Sequence, residues 1–434
     1  MSNHDKRGSM KPGVSLFKIP ALFLTMLLLL LACGGLEEAV YVGVIGPETG
    51  SYSNFGVETY HGASMAVSAF SKGKFTSEEL PLRVIHYDTG GDLELMEEQF
   101  RRMVEVDDVA AVIVSDPRPE AVRLAGRLAS ELDVAVFLAA DTLNTTAELD
   151  APNLYNLCPD YHEVIPRAVE IAADWTAADR LALVSGNLPL NQDYLKLFRR
   201  ELEDREDLEV LELELSLTGY DFESAAYRLL ADGYETFIFN GSRADLLALM
   251  TVAAEITYSP TFIALAENLP RRLELPENHV LDRGYFIGGF TPFSDDARTT
   301  AFTETFRTRV GYLPSYSAAA GYDAARIIIR AINKADSGEA GPVGGAVAAL
   351  DDHLGAAGEY DLENAPNQVF IERALPAPTG IDIELVDETP LPPPSTTGAA
   401  MVEEPVIGTA GREDLPEDAA IDEEDTSEPD TDEG

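Results

Sequence analysis

From Val40 onward the chain alternates short apolar runs with longer amphipathic stretches, and it does so twice over. Val40–Ile45, Leu82–Tyr87, Ala110–Val114 and Val134–Ala139 read as strands, separated by helices at Glu58–Phe70, Leu93–Val106 and Pro119–Leu132. Strands this uniformly apolar bury both faces, which requires a parallel sheet covered by helices and joined by right-handed crossovers. After Tyr155–Cys158 and a helix over Glu163–Thr176 the rhythm restarts, with strands at Leu181–Ser185, Leu208–Leu215, Thr236–Asn240, Thr261–Ala266 and Tyr285–Gly289. Helices at Gln192–Glu203, Phe222–Ala231 and Arg243–Ile256 separate the first four of these. Two helices, Arg298–Val310 and Ser315–Ile332, then precede a Gly-rich bend and a late strand at Gln368–Ile371. Two α/β units of domain size predict two lobes facing across a cleft. Ligands in open sheets sit at the carboxyl ends of strands, so the ends of Val40–Ile45 and Val134–Ala139 are expected to open onto that cleft.

Charge narrows the range of functions. The 434 residues hold 76 Asp and Glu against 31 Lys and Arg, a formal net charge of -45. A body this acidic does not attract nucleic acid or an anionic membrane surface. Residues 382–434 hold 18 acidic residues and one basic, after a Pro-Leu-Pro-Pro-Pro run, and read as a disordered acidic tail. The two cysteines, Cys33 and Cys158, and six scattered histidines give neither a disulfide framework nor a zinc-ligand spacing. There is no Walker loop, Gly-x-Ser-x-Gly elbow or dinucleotide fingerprint after the first strand. No enzyme activity, cofactor or metal is expected.

The first 32 residues read as an export signal. Lys6, Arg7, Lys11 and Lys18 precede an apolar stretch, Ile19–Leu31, too short to span a bilayer. It ends Leu30-Leu31-Ala32-Cys33-Gly34-Gly35, which resembles a bacterial lipobox, implying cleavage before Cys33 and lipid on that cysteine. Cys158 then has no partner and is expected in the core.

Val42-Gly43-Val44-Ile45-Gly46-Pro47-Glu48-Thr49-Gly50, with Phe55-Gly56 and Gly62-Ala63, resembles the opening of the periplasmic branched-chain amino acid binding proteins. Ile85-His86-Tyr87-Asp88-Thr89 and Gly321-Tyr322-Asp323-Ala324-Ala325 agree with that family. The resemblance implies a two-lobed type I periplasmic binding protein fold, each lobe a parallel-sheet αβα sandwich. It places 38–156 and 291–350 in lobe one, and 157–290 and 351–381 in lobe two. It also implies ligand contacts from Ser53, Ala140, Thr142, Ser242 and Glu267, with a carboxylate held at Ala140 and Thr142 and an ammonium by Glu267. The family's small, Ser-rich loop is here Ser115-Asp116-Pro117-Arg118-Pro119-Glu120. Proline has no N–H to donate, and Arg118 is the candidate that replaces the lost donors with a bidentate fork.

The implied function is a lipid-anchored, monomeric extracytoplasmic protein that captures a small polar solute and delivers it to an ABC transporter permease. Two other readings stay open: a ligand-independent lipoprotein that binds a protein of the cell envelope, and a sensor subunit for a membrane receptor. The anchor is directly testable. Cys33→Ser is expected to abolish incorporation of labelled palmitate and to leave the protein soluble or uncleaved; undiminished labelling would refute the lipobox assignment.

Overall fold

The computed structural model describes residues 39–70, 80–203, 205–215, 221–350, 353–360, 362 and 368–386. The expected leader, Cys33 and the tail beyond 386 lie outside the described residues. In the first half, strands β1 (Val40–Gly46), β2 (Leu82–Asp88), β3 (Val109–Val114), β4 (Val136–Leu138) and β5 (Leu154–Asn156) form one sheet. Their order is β2-β1-β3-β4-β5 and every pairing is parallel. Helices α1 (Ser53–Phe70), α2 (Leu93–Glu105) and α3 (Pro119–Leu132) make the crossovers. Each starts where the chain supplies a stop for the strand before it. Asp92 caps α2 by accepting from the N–H groups of Glu94 and Leu95, and Pro119 opens α3, where the missing N–H costs nothing.

The second half begins with α4 (Tyr161–Glu170) and a π turn, Ile171–Trp175, so the helix expected over Glu163–Thr176 changes its winding partway. Then come β6 (Arg180–Gly186), α5 (Pro189–Glu203), β7 (Glu209–Leu215), α6 (Asp221–Asp232), β8 (Thr236–Asn240), α7 (Arg243–Glu255), β9 (Thr261–Leu265) and β10 (Gly284–Gly288). After that the chain returns to the first sheet. Helices α8 (Ala297–Val310), α9 (Tyr316–Ala335) and α10 (Ala340–Ala348) bury Phe306, Ile328 and Val343 in the same core as Val42 and Phe137.

Three expectations are corrected here. The Gly-rich bend contains α10: burial of Val343, Ala346 and Val347 outweighs the poor helix propensity of its glycines, and Pro342 sits in the first turn, where it is tolerated. Residues 351–381 do not all join the second lobe. After the two short strands β11 (His353–Leu354) and β12 (Glu359–Tyr360), β13 (Phe370–Pro376) and β14 (Ile381–Leu385) do extend the second sheet, whose order is β14-β13-β10-β9-β8-β6-β7. The turn at Ala356 and Ala357, by contrast, is buried in the first core. Its N–H groups donate to the carboxylate of Asp323, at 2.7 and 2.9 Å. Finally, β14 occupies positions assigned to the tail, and β13 and β14 run antiparallel, so the second sheet is mixed.

Helices α1 and α9 pack with their backbones in contact. A Cβ at Gly62 would overlap the Ala318 carbonyl, and one at Gly321 would overlap the Thr59 carbonyl. Overpacking of this kind costs about 1–3 kcal/mol. Gly321→Ala is therefore expected to lower Tm by several degrees. Gly341→Ala, in α10 with nothing within 4 Å, should leave Tm unchanged or raise it. Equal thermal shifts for the two variants would contradict the close helix crossing.

Candidate ligand-binding cleft

The carboxyl ends of β6, β8 and β9 deliver loops to the first-sheet side of the second lobe, and the loop after β1 brings the start of α1 opposite them. Between them lies a cavity of about 900 Å³. Its walls are largely apolar, with Phe55, Val57, Leu190, Leu247, Leu265 and Leu281 among the lining side chains. Its polar groups are few and specific, as in small-molecule sites generally.

At one end stand two guanidinium groups. Arg271 Nε lies 3.1 Å from Glu58 Oε1, a pair joining the two lobes, and Glu58 Oε2 accepts from the Ser315 N–H at 2.9 Å. Arg243, the first residue of α7, also lines the cavity and has no hydrogen-bonding or ion-pair partner of its own among the described residues. Arg243 is exposed to solvent in the cavity, and neighbouring protein desolvates part of it. That desolvation lowers its pKa, repulsion from Arg271 lowers it further, and attraction to Glu58 offsets part of the effect. Asn268, also in the lining, buries its Oδ1 without a partner among the described residues.

Elsewhere the wall is formed by Tyr194 and Glu267, backed by the buried Tyr161. The Tyr161 hydroxyl donates to Glu267 Oε1 at 2.5 Å, and the Tyr161 ring stacks on Tyr194 with centroids 5.1 Å apart. The Tyr194 hydroxyl is hydrogen-bonded to Thr142 Oγ1 at 2.5 Å. Glu267 Oε2 is buried without a partner among the described residues. Desolvation raises the pKa of Glu267, against the lowering effect of the Tyr161 hydrogen bond.

The six residues singled out from the sequence divide evenly. Ser53, Ser242 and Glu267 line the cavity. Ser242 also caps α7: its hydroxyl oxygen accepts from Asp245 N–H at 3.2 Å and its O–H donates to Asp245 Oδ2 at 2.6 Å. Ala140 and Thr142 are 0% and 1% exposed beneath Tyr161 and Tyr194, so the end of β4 does not open onto the cleft as expected. Between them, Asp141 accepts from the N–H groups of Thr145 and Thr146, while the buried Cys158 Sγ accepts from Asp141 N–H at 2.9 Å. Arg118 stands outside the cavity, clamped on Asp116 by Nε–H···Oδ1 and Nη2–H···Oδ2 bonds of 2.9 and 2.6 Å. Its guanidinium lies over the Tyr52 ring, 5.7 Å from the centroid. Sequence reasoning passed over Tyr161, Tyr194, Arg243, Arg271 and Glu58. Arg243 stood in the strand-end loop already singled out, next to Ser242.

A two-lobed α/β protein with a cavity at the strand ends is the architecture of a binding protein, and family comparison gives the class its name. The chain belongs to the periplasmic binding protein family, whose model matches residues 39–370. Solved structures agree in fold. The substrate-binding protein LivJ of a branched-chain amino acid transporter from Streptococcus pneumoniae, in complex with isoleucine, superposes with a TM-score of 0.67 at 16% identity, over 80% of this chain and 99% of that one. An ABC transporter solute-binding protein from Rhodopseudomonas palustris in complex with 3,4-dihydroxybenzoic acid gives 0.68 at 16% identity, over 83% and 99%. A second protein from R. palustris, in complex with benzoate, gives 0.65 at 15% identity, over 82% and 99%. No curated protein matches the chain at a significant level. Among the described residues no helix is long and apolar enough to cross a membrane, and no group of three or more His, Cys, Asp or Glu is placed to hold a metal ion.

Beside the cavity, on β13, Glu372 is 1% exposed. Thr291 lies alongside, yet neither carboxylate oxygen reaches hydrogen-bonding geometry, and burial pushes the pKa up to about 8. A carboxyl group that prefers its proton in the folded state stabilises at low pH. Its contribution is full below the unfolded value of 4.5 and is lost as pH rises through about 8. Glu372→Gln is therefore expected to have the wild-type Tm at pH 4 and a higher Tm at pH 9. Parallel Tm–pH curves for the two proteins would contradict a neutral buried Glu372.

Proposed function

We propose that this protein is an extracytoplasmic solute-binding protein. It captures a small polar solute in the cleft and passes it to the permease of an ABC transporter, acting as a monomer held to the membrane by lipid on Cys33. The observation that carries the reading is the cavity itself: about 900 Å³, placed at the strand ends between two sheets, apolar in its walls and supplied with polar groups that lack partners. Binding with no chemical step requires such a space and a hinge between the lobes, and chain crossings near 157, 290 and 360 provide one. The fold neighbours hold isoleucine, a dihydroxybenzoic acid and benzoate. These ligands set the first probes. Branched-chain amino acid specificity is not carried over, because the end of β4, where the resemblance puts the carboxylate, is covered by tyrosines.

That covering favours a second reading, a binding module for a protein of the cell envelope in which the small-molecule site is vestigial. Thermal unfolding in the presence of amino acids, aromatic acids, amides and short peptides separates the two. A ligand at 100 times its Kd adds about 2.7 kcal/mol, a shift of several degrees. The expected outcome is a saturable rise in Tm with at least one compound. If none stabilises the protein at millimolar concentration, the solute-binding reading is abandoned.

A further inference from the structure

We infer that the cleft takes an organic anion whose charged group sits on Arg243 of the second lobe, beside Arg271, rather than at the strand ends of the first lobe. The inference deepens the solute-binding reading and rests on it. Three observations carry it.

The first is what the first lobe no longer offers. Ala140 and Thr142 are buried, Thr142 Oγ1 is bound to Tyr194, and Arg118 is committed to both carboxylate oxygens of Asp116. At these three positions an incoming carboxylate finds no free side-chain donor without displacing a hydrogen bond already made.

The second is charge balance inside the cavity. Two guanidinium groups, Arg243 and Arg271, face a single carboxylate, Glu58, and geometry assigns that carboxylate to Arg271 at 3.1 Å and to the Ser315 N–H at 2.9 Å. The remaining acid in the interior, Glu267, accepts from the Tyr161 hydroxyl and makes no ion pair with either guanidinium among the described residues. At the rim, exposed Arg272 and Glu277 have opposite signs and offset one another. Arg243 is therefore the guanidinium of the two that has no ion-pair partner among the described residues.

The third is the guanidinium itself. Arg243 spends none of its five N–H donors on protein acceptors among the described residues, and it is accessible from the cavity. A planar guanidinium fork pairs a carboxylate bidentately, whereas an ammonium ligand would meet like charge. Apolar walls ask for an apolar body on the anion, aliphatic or aryl.

The test uses matched acids and amides, measured by thermal shift and titration calorimetry on the full-length protein: benzoate and benzamide, 3,4-dihydroxybenzoate and its amide, leucine and leucinamide, isoleucine and isoleucinamide. At least one acid is expected to bind and its amide to bind about tenfold or more weakly. Arg243→Gln should lose about the same factor on the acid and little on the amide, and Arg243→Lys should recover part of it. Because Arg243 has no protein partner to lose, both variants are expected to keep the unliganded Tm. If acid and amide bind alike, or Arg243→Gln leaves acid affinity intact, the anion assignment fails while the solute-binding reading stands. If no probe of either kind binds wild-type protein, both fall together.

Discussion

The contact of α1 with α9, backbone against backbone, sets the geometry on which the cleft depends. Only glycine at 62 and 321 lets the two helices approach this closely. The approach ties α1 to a helix 250 or so residues later in the sequence, so the segment that forms lobe two is inserted between parts of lobe one. It also fixes the start of α1. Glu58 lies about one turn before Gly62, and it receives the Ser315 N–H just ahead of α9. From that fixed position its other oxygen reaches across to Arg271 of the second lobe. A buried ion pair of this kind is weak as a source of stability, since desolvation consumes much of the attraction. Its value is positional: it registers one wall of the cleft against the other.

The tyrosine-backed wall of the cleft works by a different logic. Tyr161 and Tyr194 come from the starts of α4 and α5, stack on each other, and turn one hydroxyl toward Glu267 and the other toward Thr142. The arrangement satisfies Thr142 internally and leaves Glu267 half-satisfied, with one oxygen buried and bare. Satisfying one buried polar group while leaving its neighbour wanting concentrates the unmet hydrogen bonding at chosen points, here Glu267 and Asn268, both in the cavity wall. In a binding protein those are the points at which a ligand gains most.

Much of the fold was legible because fully buried parallel strands leave a signal that needs no partner to be seen: a short apolar run between turn residues. Thr236–Asn240 matches its observed bounds for that reason. Where tertiary packing overrides local preference, the signal vanishes. The segment Ala340–Ala348 is rich in glycine and is helical only because Val343 and Val347 find the first core. The strand Ile381–Leu385 looks like acidic tail because its polar residues face out and its edge position demands little of them. The site divided along the same line. Ser53, Ser242 and Glu267 sit in or directly after strand-end loops, where position in the chain predicts position in space. Tyr161 and Tyr194 meet across 33 residues of sequence, and no local pattern reports the meeting. The Asp of Tyr322-Asp323-Ala324 is explained by structure alone: its carboxylate holds the turn at Ala356 and Ala357 that ends the first lobe.

An acidic protein whose cleft holds a guanidinium without an ion-pair partner among the described residues sets two fields against each other. The net charge of -45 repels an anion at a distance, yet that far field is confined by salt to a Debye length of about 8 Å at physiological ionic strength. Within the cavity an anion paired with the guanidinium of Arg243 lies well inside that screening length, so the contact acts at short range. The two fields therefore operate on different length scales. The outer one repels anionic surfaces. The inner one decides what stays in the cleft, and an anion that has crossed the outer field meets a guanidinium there that no carboxylate among the described residues pairs.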